Sequence, residues 1–330
     1  MRNFIKNAII SLKSRVSGKI DEDIKNTNNV LKIIDTLDAT DNFWLSWYLS
    51  YYDLEGYLKF LKKLRFFPGR FIPKKDKDTH VREVLEKITI DNKLIIKDIV
   101  LPIPNINDSE DLLIMIIEGL LSYLLDGIDD ELFHSLVRLK PYLDGPYEYK
   151  SVQLEKDDIV IDAGANIGEF SALAGVKGCK VYAFEPMPFI IEKYLSKTAE
   201  WNPNITICNY ALSDKQGELV FYEGDHIGSS SFVKTRDSNK IKVQSIDLDT
   251  WVEENKIPSV DFLKADIEGA ERYMLMGAKC VLKEFAPKIA ICTYHLPDDP
   301  KVLRELILDT NPNYIIEERW KKIYAYVPKK

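Results

Sequence analysis

The pattern of apolar and polar residues changes near position 145 of this 330-residue chain. Before that position, apolar residues recur mainly at helical spacing, and the aromatic-rich run 42–67 includes the i, i+3 and i+4 steps of a core-facing helix. After it, short β-branched runs alternate with helical segments, which is typical of a parallel sheet with helices on both faces. We therefore predict a mainly helical N-terminal region, residues 1–145, followed by an α/β domain, residues 146–330.

The α/β domain is predicted to form a Rossmann-like, doubly wound, mostly parallel sheet of seven strands. The strands are placed at 158–162, 180–184, 204–208, 260–265, 288–294, 313–318 and 323–327. The helices are placed at 168–176, 188–200, 247–255, 269–276 and 299–308. Strands at 218–223 and 240–246 form an inserted β-section, and the last two strands of the main sheet form a terminal hairpin that sets an antiparallel strand at its edge. In the N-terminal region, alternation over 87–104 predicts one or two strands around a turn at 91–93.

A glycine-containing turn follows the first strand of this domain. Asp162 ends the strand, and Gly164 and Gly168 bracket the turn, where a missing Cβ lets backbone approach a ligand. A strand, a glycine turn and a helix N-terminus make a nucleotide-type site. The Gly-x-x-x-Gly spacing is not the G-x-G-x-x-G of dinucleotide sites, and Asp162 would repel phosphate. Such an acid suits a cation, for example the ammonium or sulfonium of S-adenosylmethionine, although the turn could also serve only to pack a helix on the sheet.

Glu185 ends the second strand, 17 residues beyond Gly168. Acids at this position bind ribose hydroxyls in doubly wound folds. A ribose with no phosphate beside it fits an adenosyl ligand. A solvated strand end is the alternative interpretation of this residue.

Ionisable residues also end two later strands, at the same edge of the sheet. Asp266 ends the strand 260–265, and folding alone does not explain an acid that faces the ligand crevice. Glu268 and Glu271 lie in the first turn of the next helix, where the helix dipole favours each by ~0.3–1 kcal/mol, and we assign Glu271 to that stabilising role. His295 ends the strand 288–294, and an imidazole with the ordinary pKa of ~6.5 can take a proton from a substrate hydroxyl at neutral pH.

The ordered set of these motifs resembles the FkbM-type S-adenosylmethionine-dependent methyltransferases. The resemblance covers about residues 147–328 and rests on four stretches: Asp162-Ala163-Gly164-Ala165-Asn166-Ile167-Gly168, Phe184-Glu185-Pro186, Ala211-Leu212-Ser213-Asp214 and Lys264-Ala265-Asp266-Ile267-Glu268-Gly269-Ala270-Glu271. Many members have isoleucine or valine where this chain has Ala265, and residues 1–145 show no resemblance. The resemblance implies a Rossmann-like methyltransferase fold and O-methylation of a sugar, a glycan or a secondary-metabolite hydroxyl.

The resemblance also implies roles for individual residues. The cofactor-binding residues would be Asp162, Gly164, Asn166, Gly168, Glu185, Pro186, Tyr210, Ala211, Leu212 and Asp266. Within this set the glycine turn would hold the methionine part, Glu185 the ribose and the segment 210–212 the adenine. Our hypothesis for catalysis is that His295 acts as general base, Asp266 orients the acceptor or His295, and Glu268 lies near the acceptor.

Other interpretations of these residues stay open. Asp266, Glu268 and His295 could bind Mg²⁺ or Mn²⁺ and lower the pKa of the hydroxyl. The domain could bind an adenosyl ligand without catalysis, and a dehydrogenase is disfavoured by the glycine spacing. For residues 1–145 our hypothesis is a module for acceptor binding or dimerisation.

Composition and charge restrict the classes of partner. The net charge of −7 disfavours broad nucleic-acid binding, and the small-molecule or glycan acceptor is what the resemblance implies. The four cysteines are scattered without a C-x-x-C pair, which indicates a reducing, cytoplasmic compartment and no zinc site. The basic segment 1–19 has an apolar run of three residues, so we expect no secretory signal but a short amphipathic helix that packs or frays, with peripheral contact to an anionic membrane as the alternative. The longest apolar stretch, 112–125, is too short to span a bilayer.

Overall fold

The computed structural model describes residues 89–91, 93–96, 98–103, 120, 146–222 and 240–328. These residues belong to one compact unit, which combines Ile88–Leu120 with Asp144–Lys330. Most of the predicted N-terminal region lies outside the described residues, including the basic segment 1–19, the aromatic-rich helix 42–67 and nearly all of the apolar stretch 112–125.

The described residues form strands and helices that follow the predicted alternation. The strands are β1 Thr89–Ile90, β2 Lys93–Ile96, β3 Ile99–Pro102, β4 Ile159–Ala163, β5 Lys180–Phe184, β6 Ile205–Cys208, β7 Ala211–Ser213, β8 Gly217–Tyr222, β9 Lys240–Asp247, β10 Phe262–Ala265, β11 Lys288–Cys292, β12 Ile315–Arg319 and β13 Lys322–Tyr326. The helices are α1 Glu169–Val176, α2 Pro188–Ile190, α3 Ser196–Trp201, α4 Leu248–Glu254, α5 Glu271–Met276, α6 Lys279–Glu284 and α7 Asp299–Thr310. A π-helical segment, Ile191–Leu195, joins α2 to α3. The helix α6 lies where the sequence predicted no element.

Seven strands form a mixed main sheet in the order β12-β13-β11-β10-β4-β5-β6. The strands from β6 to β11 pair in parallel, whereas β13 is antiparallel to both β11 and β12. The strand order reverses between β4 and β10, so the carboxyl ends of these strands flank a crevice of the kind that binds ligands in open α/β sheets. The predicted α/β class and the mixed seven-stranded sheet are confirmed.

The position of the antiparallel strand differs from the prediction. β13 enters the sheet between β11 and β12, and β12 forms the edge. The reason lies in burial, because four of the five residues of β13 are buried whereas those of β12 are exposed or half-buried. A charged edge strand also limits pairing with other chains.

The alternation of side chains assigns the residues of β4 and β10 to two faces of the main sheet. Ile161 and Leu263 pack into the larger core cluster with Trp251 of α4. On the opposite face, Asp162 bonds to α1, and the ring of Phe262 lies 5.9 Å from that of Phe170 in α1. Two adjacent polar positions of the ladder, Asp162 and its register partner Lys264, are therefore buried under α1.

Two small sheets flank the main sheet. The strands β1, β2 and β3 form an antiparallel sheet with a turn at Asp91, where one or two strands were predicted. It is tied to the domain by the amide of Asn202, which donates to the carbonyl of Val100 at 3.0 Å. The predicted inserted β-section is present as β8 and β9. The short strand β7 pairs with the other edge of β9, so the sheet has the order β7-β9-β8.

Candidate functional site

A pocket opens at the carboxyl ends of β4, β5 and β10. Its empty volume is ≈ 850 Å³, counted together with the space open to solvent, which is within the range of small-molecule sites. Most of the predicted site residues line it: Gly164, Asn166, Glu185, Pro186, Tyr210, Ala211, Leu212, Asp266 and Glu268. Asp162, Gly168 and His295 are not among the lining residues. The strand ends thus converge on one pocket, and three of the predicted residues do not line it.

The two glycines of the turn have different surroundings. Both adopt positive φ, 75° at Gly164 and 91° at Gly168. A Cβ on Gly164 would lie 2.0 Å from the carbonyl oxygen of Asp266, so glycine lets the turn pass the end of β10. A Cβ on Gly168 would lie 2.8 Å from side-chain atoms of Leu195 and Thr198. Gly168 therefore serves helix packing, and Gly164 serves both the backbone approach and the pocket.

Asp162 forms a buried ion pair with Lys264, a residue that the sequence analysis did not select. Oδ1 of Asp162 lies 2.9 Å from Nζ of Lys264, and the two side chains are 0% and 2% exposed. Oδ2 accepts a hydrogen bond from the hydroxyl of Ser171 at 2.6 Å. Nζ of Lys264 also donates to the carbonyl of Gly164 at 2.7 Å. The cation that Asp162 contacts is thus a lysine of the neighbouring strand, which fixes the turn at the pocket wall.

The charge state of Lys264 follows from its neighbours. Burial alone would lower the pKa of its ammonium, but the carboxylates of Asp162, Asp266 and Glu169 outweigh burial and raise the pKa above its ordinary value. Lys264 therefore stays charged. In the sequence, Lys264 stands out only as a lone lysine in an apolar strand. Its contact with Asp162 depends on the pairing of β10 with β4, which the sequence does not reveal.

Glu185 lies at the end of β5 with both carboxylate oxygens bonded to backbone. Oε2 accepts from the N–H of Asn166 and Oε1 from the N–H of Met187, both at 3.0 Å. Burial raises the pKa of its carboxyl to about 7, against the lowering effect of these hydrogen bonds. The residue is buried rather than a solvated strand end. It holds the glycine turn against the loop after β5 and still lines the pocket.

Two buried oxygen atoms in the pocket have no hydrogen-bond partner among the described residues. They are Oδ1 of Asn166 and Oε2 of Glu169, and both residues line the pocket. Burial raises the pKa of the Glu169 carboxyl to about 7. Buried polar atoms are nearly always satisfied in folded proteins, so these two positions call for a ligand that donates hydrogen bonds. Glu169 was not selected from the sequence; the signal was its position directly after Gly168.

Asp266, Glu268, Glu271 and His295 form an acid–histidine cluster beside the pocket. Nε2 of His295 lies 3.4 Å from Oδ1 of Asp266 and 3.7 Å from Oε2 of Glu268. Its Nδ1 lies 2.9 Å from Oε1 of Glu271. The ligand atoms of Asp266, Glu271 and His295 fall within 4.8 Å of one another. The acid–histidine cluster therefore surrounds one imidazole with three carboxylates.

Hydrogen bonds from outside the acid–histidine cluster fix two of its carboxylates. The hydroxyl of Tyr147 donates to Oδ2 of Asp266 at 2.7 Å, and that of Tyr294 donates to Oδ1 at 3.2 Å. Glu271, which is fully buried, accepts from the N–H of Ile267 at 2.8 Å and of Gly269 at 3.0 Å. Glu271 thus stabilises the turn before α5, as expected, and in addition positions His295.

The protonation of His295 differs from the sequence-based expectation. Burial lowers its pKa, but the contact with Glu271 and the charges of Asp266 and Glu268 raise the pKa to about 9. The imidazole is therefore protonated at neutral pH, and it lies behind the carboxylates that face the pocket. Burial raises the pKa of the Glu268 carboxyl to about 7. Burial alone would also raise the pKa of the Asp266 carboxyl. The positive charges of Lys264 and His295 outweigh burial, so the pKa of Asp266 is lowered.

Comparison with known proteins shows which methyltransferases this domain resembles. Residues 162–316 match the model of the methyltransferase FkbM domain. The hexuronic acid methyltransferase AglP of Haloferax volcanii is 29% identical over 156 residues, which are 47% of this chain and 63% of that protein. The 31-O-demethyl-FK506 methyltransferase FkbM of Streptomyces tacrolimicus is 25% identical over 171 residues, 42% of this chain and 66% of that protein. Over this segment the chain is therefore similar to the FkbM methyltransferases, and it spans less than two thirds of the length of either relative.

A solved structure of a methyltransferase FkbM from Methylobacillus flagellatus KT is also similar. It has a TM-score of 0.43 and 21% sequence identity, and the match covers 67% of this chain and 61% of that chain. Within the part of the chain that the structure describes, every helix is too short or too polar to cross a membrane.

Proposed function

We propose that this protein is an S-adenosylmethionine-dependent O-methyltransferase that acts on a hydroxyl of a sugar, a glycan or a secondary metabolite. Its similarity to the FkbM domain supports the reaction class. The Haloferax volcanii relative, whose name gives hexuronic acid as the methylated compound, supports a sugar-type acceptor. The observation that carries the proposal is the pocket at the ends of β4, β5 and β10, which combines an apolar wall with buried oxygen atoms that lack donors.

The pocket fits the three parts of an adenosyl cofactor. Glu185 is proposed to accept the ribose hydroxyls, as acids at the end of a second strand do in doubly wound folds. The segment 210–212 and Pro186 offer surface for adenine. Oδ1 of Asn166 and Oε2 of Glu169 need hydrogen-bond donors, which the α-ammonium of the methionine part provides.

The contribution of the protein to the reaction is mainly orientation. The bound cofactor would supply an electrophilic methyl group. Holding the acceptor oxygen ~3–3.5 Å from the methyl carbon can supply roughly 7–11 kcal/mol of the rate enhancement. We propose that Asp266 and Glu268, which line the pocket, contact the acceptor. His295 is proposed to act through these two carboxylates instead of taking the proton by direct contact, because it lies behind them.

The cysteines support a reducing, cytoplasmic site of action. Cys179, Cys208, Cys280 and Cys292 are all free in the structure, and Cys280 is exposed. Proteins of oxidising compartments commonly use such residues in disulfides.

Calorimetric titration with S-adenosylmethionine, S-adenosylhomocysteine and NADH tests the cofactor assignment. We expect both adenosyl ligands to bind at one site and NADH not to bind. Glu185→Ala should weaken binding by about 10–100-fold, the value of hydrogen bonds to a charged group. Glu218→Ala, which removes an exposed carboxylate of β8 paired with Lys242, is the matched control and should bind normally. Absence of adenosyl binding, or normal binding by Glu185→Ala at an unchanged melting temperature, would contradict the proposal.

The acceptor class is tested with a panel of uronic acids, neutral sugars and polyhydroxylated metabolites. Mass spectrometry of the products reports methyl transfer. We expect product from at least one sugar-type acceptor, and methylation at nitrogen or carbon alone would argue against an O-methyltransferase.

A further inference from the structure

The acid–histidine cluster places a ring nitrogen between two carboxylates that face the pocket. The side chain of His295 is 7% exposed, and neither of its ring nitrogens meets hydrogen-bond geometry with a partner among the described residues. The oxygen atoms that face this nitrogen belong to Asp266 at 3.4 Å and to Glu268 at 3.7 Å. A neutral imidazole would direct its Nε2 lone pair at these two oxygens, and either a proton on Nε2 or a bound cation offsets that repulsion.

The opposite side of the ring is already fixed. Nδ1 of His295 lies 2.9 Å from Oε1 of Glu271, whose own orientation is held by the N–H groups of Ile267 and Gly269. Histidines that ligate a metal usually donate their other N–H to a carboxylate, which sets the tautomer and the direction of the ring. Because both oxygens of Glu271 are engaged, we assign Glu271 to this supporting position and not to a ligand position.

The two distances from Nε2 of His295 to the facing carboxylates suit a small divalent ion. Metal–ligand bonds of ~2.0–2.2 Å separate neighbouring ligand atoms by roughly 3–3.5 Å. The distances of 3.4 and 3.7 Å from Nε2 of His295 to the two carboxylates lie close to that range. Imidazole favours transition metals, and carboxylates favour Mn²⁺ and Mg²⁺, so Mn²⁺ satisfies both ligand types.

We propose that Nε2 of His295, Oδ1 of Asp266 and Oε2 of Glu268 bind a divalent cation of the Mn²⁺ type, which in turn binds an acceptor that offers two adjacent oxygens. The part of this inference that concerns the acceptor rests on the proposed methyltransferase function. An ion with three protein ligands on one side keeps open positions, and these face the pocket because Asp266 and Glu268 line it. A vicinal diol or a hydroxy acid can fill two such positions.

The ion would act on the acceptor in two ways. It would fix the acceptor relative to the methyl carbon, and it would lower the pKa of the contacting hydroxyl. During transfer the O–H bond breaks and its proton passes to solvent, the new O–C bond forms, and the S–C bond breaks to leave a neutral thioether. A proton on Nε2 of His295 is the competing occupant of the same position, since the carboxylates of Asp266 and Glu268 attract either cation.

The test is a titration of metal-free full-length protein with MnCl₂, in the presence of S-adenosylhomocysteine, followed by the electron paramagnetic resonance signal of free Mn²⁺. We expect one saturable site. Glu268→Gln and His295→Gln should weaken Mn²⁺ binding by at least about 10–100-fold, the loss caused by removing even a supporting group. Glu218→Gln, which changes an exposed carboxylate of β8 outside the pocket and the acid–histidine cluster, should leave Mn²⁺ binding within about threefold of the unsubstituted protein, since no ligand is lost.

Calorimetry with S-adenosylmethionine on the same variants separates this inference from the proposed function. Glu268 lies in a half-exposed loop, so Glu268→Gln should fold even if His295→Gln does not. Normal cofactor binding together with no saturable Mn²⁺ site, or with equal Mn²⁺ binding in Glu268→Gln, would overturn the ion site and leave the methyltransferase proposal standing. A Mn²⁺ site without any adenosyl binding would support the ion site and contradict the methyltransferase proposal. Full methyl transfer after exhaustive chelation would also overturn the role of the ion.

Discussion

Lys264 and Asp162 connect the interior of the sheet to the pocket wall. The pair is almost fully buried, and the lysine also holds the carbonyl of Gly164 at the start of the glycine turn. A buried ion pair adds little net stability, but removal of one partner leaves an uncompensated charge. The geometry of the turn therefore depends on Lys264, a residue to which the proposed reaction assigns no chemical role.

Lys264→Met should destabilise the protein by about 3–5 kcal/mol, because it leaves the Asp162 carboxylate buried without its counter-ion. The double variant Asp162→Asn with Lys264→Met should recover part of that loss. Urea unfolding of the four combinations measures the coupling. As a control, Lys242→Met removes an exposed partner of Glu218 and should not measurably change stability. An equal loss of unfolding free energy in Lys264→Met and in the double variant would contradict a specific ion pair.

Glu169→Gln should weaken S-adenosylmethionine binding by about tenfold or more, because a charge-assisted hydrogen bond to the ammonium is lost. In the unsubstituted protein, affinity should increase as pH rises through about 7, the pKa of the Glu169 carboxyl, since only the ionised form attracts a cation. Glu185 also has a pKa of about 7, so the pH dependence specific to Glu169 is the part that Glu169→Gln removes. Calorimetry between pH 6 and 8.5, roughly one to two pH units around that pKa, measures both effects. An identical pH profile in the variant would argue against this contact.

The raised pKa values of Glu169 and Glu185 also make the stability of the folded protein depend on pH. The carboxyls of Glu169 and Glu185 have a pKa of about 7 in the folded protein, against an ordinary value of 4.5. The folded state therefore binds more protons between these values, and stability falls as pH rises through this window. Thermal unfolding without ligand should show this decrease from pH 5 to 7.5, roughly the range that the two values span. A constant or rising melting temperature over this range would contradict the burial of these carboxyls.

At the residue level, the sequence revealed strand ends but not contacts between strands. Glu185 and Asp266 could be selected because the carboxyl ends of parallel strands share one edge. The partner of Asp162 could not, because it depends on β10 lying beside β4 in register. The contact of His295 with Glu271 is equally tertiary, and it changes the charge of the imidazole.

At the level of elements, the packing of α1 against the helical segment 191–201 sets the shape of the turn. The contact passes through Gly168, where a side chain would meet Leu195 and Thr198 at 2.8 Å. A π-helical segment interrupts the helix at this point. Such segments occur often at functional sites, and here it lies next to the residues that form the pocket.

Gly168→Ala should destabilise the fold by about 2–4 kcal/mol, since positive φ and overpacking each carry a cost. Gly175→Ala is the matched control in the same helix. Its nearest non-local neighbour would be the Cβ of Asn204 at 3.9 Å, so alanine should be neutral or stabilising by up to about 1 kcal/mol. Chemical unfolding of both variants provides the comparison. Similar changes in unfolding free energy for Gly168→Ala and Gly175→Ala would show that the close contact at Gly168 does not restrict the side chain at that position.

The arrangement of the last two strands shows why the alternation predicted the strands but not their order. Both are short segments joined at Trp320 and Lys321, and their sequence positions do not define which one pairs with β11. Burial decides, because Ile323 and Ala325 of β13 enter the core cluster. A comparison of the apolar content of the two strands was available in the sequence and would have favoured β13 for the inner position.

At the level of the whole molecule, the β1–β3 sheet belongs with the α/β domain although it precedes residue 145. Its strand β3 is tied by Val100 to Asn202 at the end of α3. The compact unit that contains the α/β domain therefore also includes β1–β3, which lie on the N-terminal side of the predicted boundary at 145.

Deletion of residues 1–87, which spares β1–β3, tests our proposal that the N-terminal region binds the acceptor or mediates assembly. Among the described residues, those that line the pocket lie between Ala163 and Tyr294, so S-adenosylmethionine affinity should be unchanged within about twofold, since the deletion removes none of them. The KM for the acceptor should rise, or the oligomeric state should change, while kcat for bound acceptor is retained. Calorimetry, steady-state kinetics and light scattering on the same preparation measure the three properties. Unchanged acceptor KM together with an unchanged mass would contradict the proposal, and loss of cofactor binding would indicate that residues 1–87 are needed for the domain to fold.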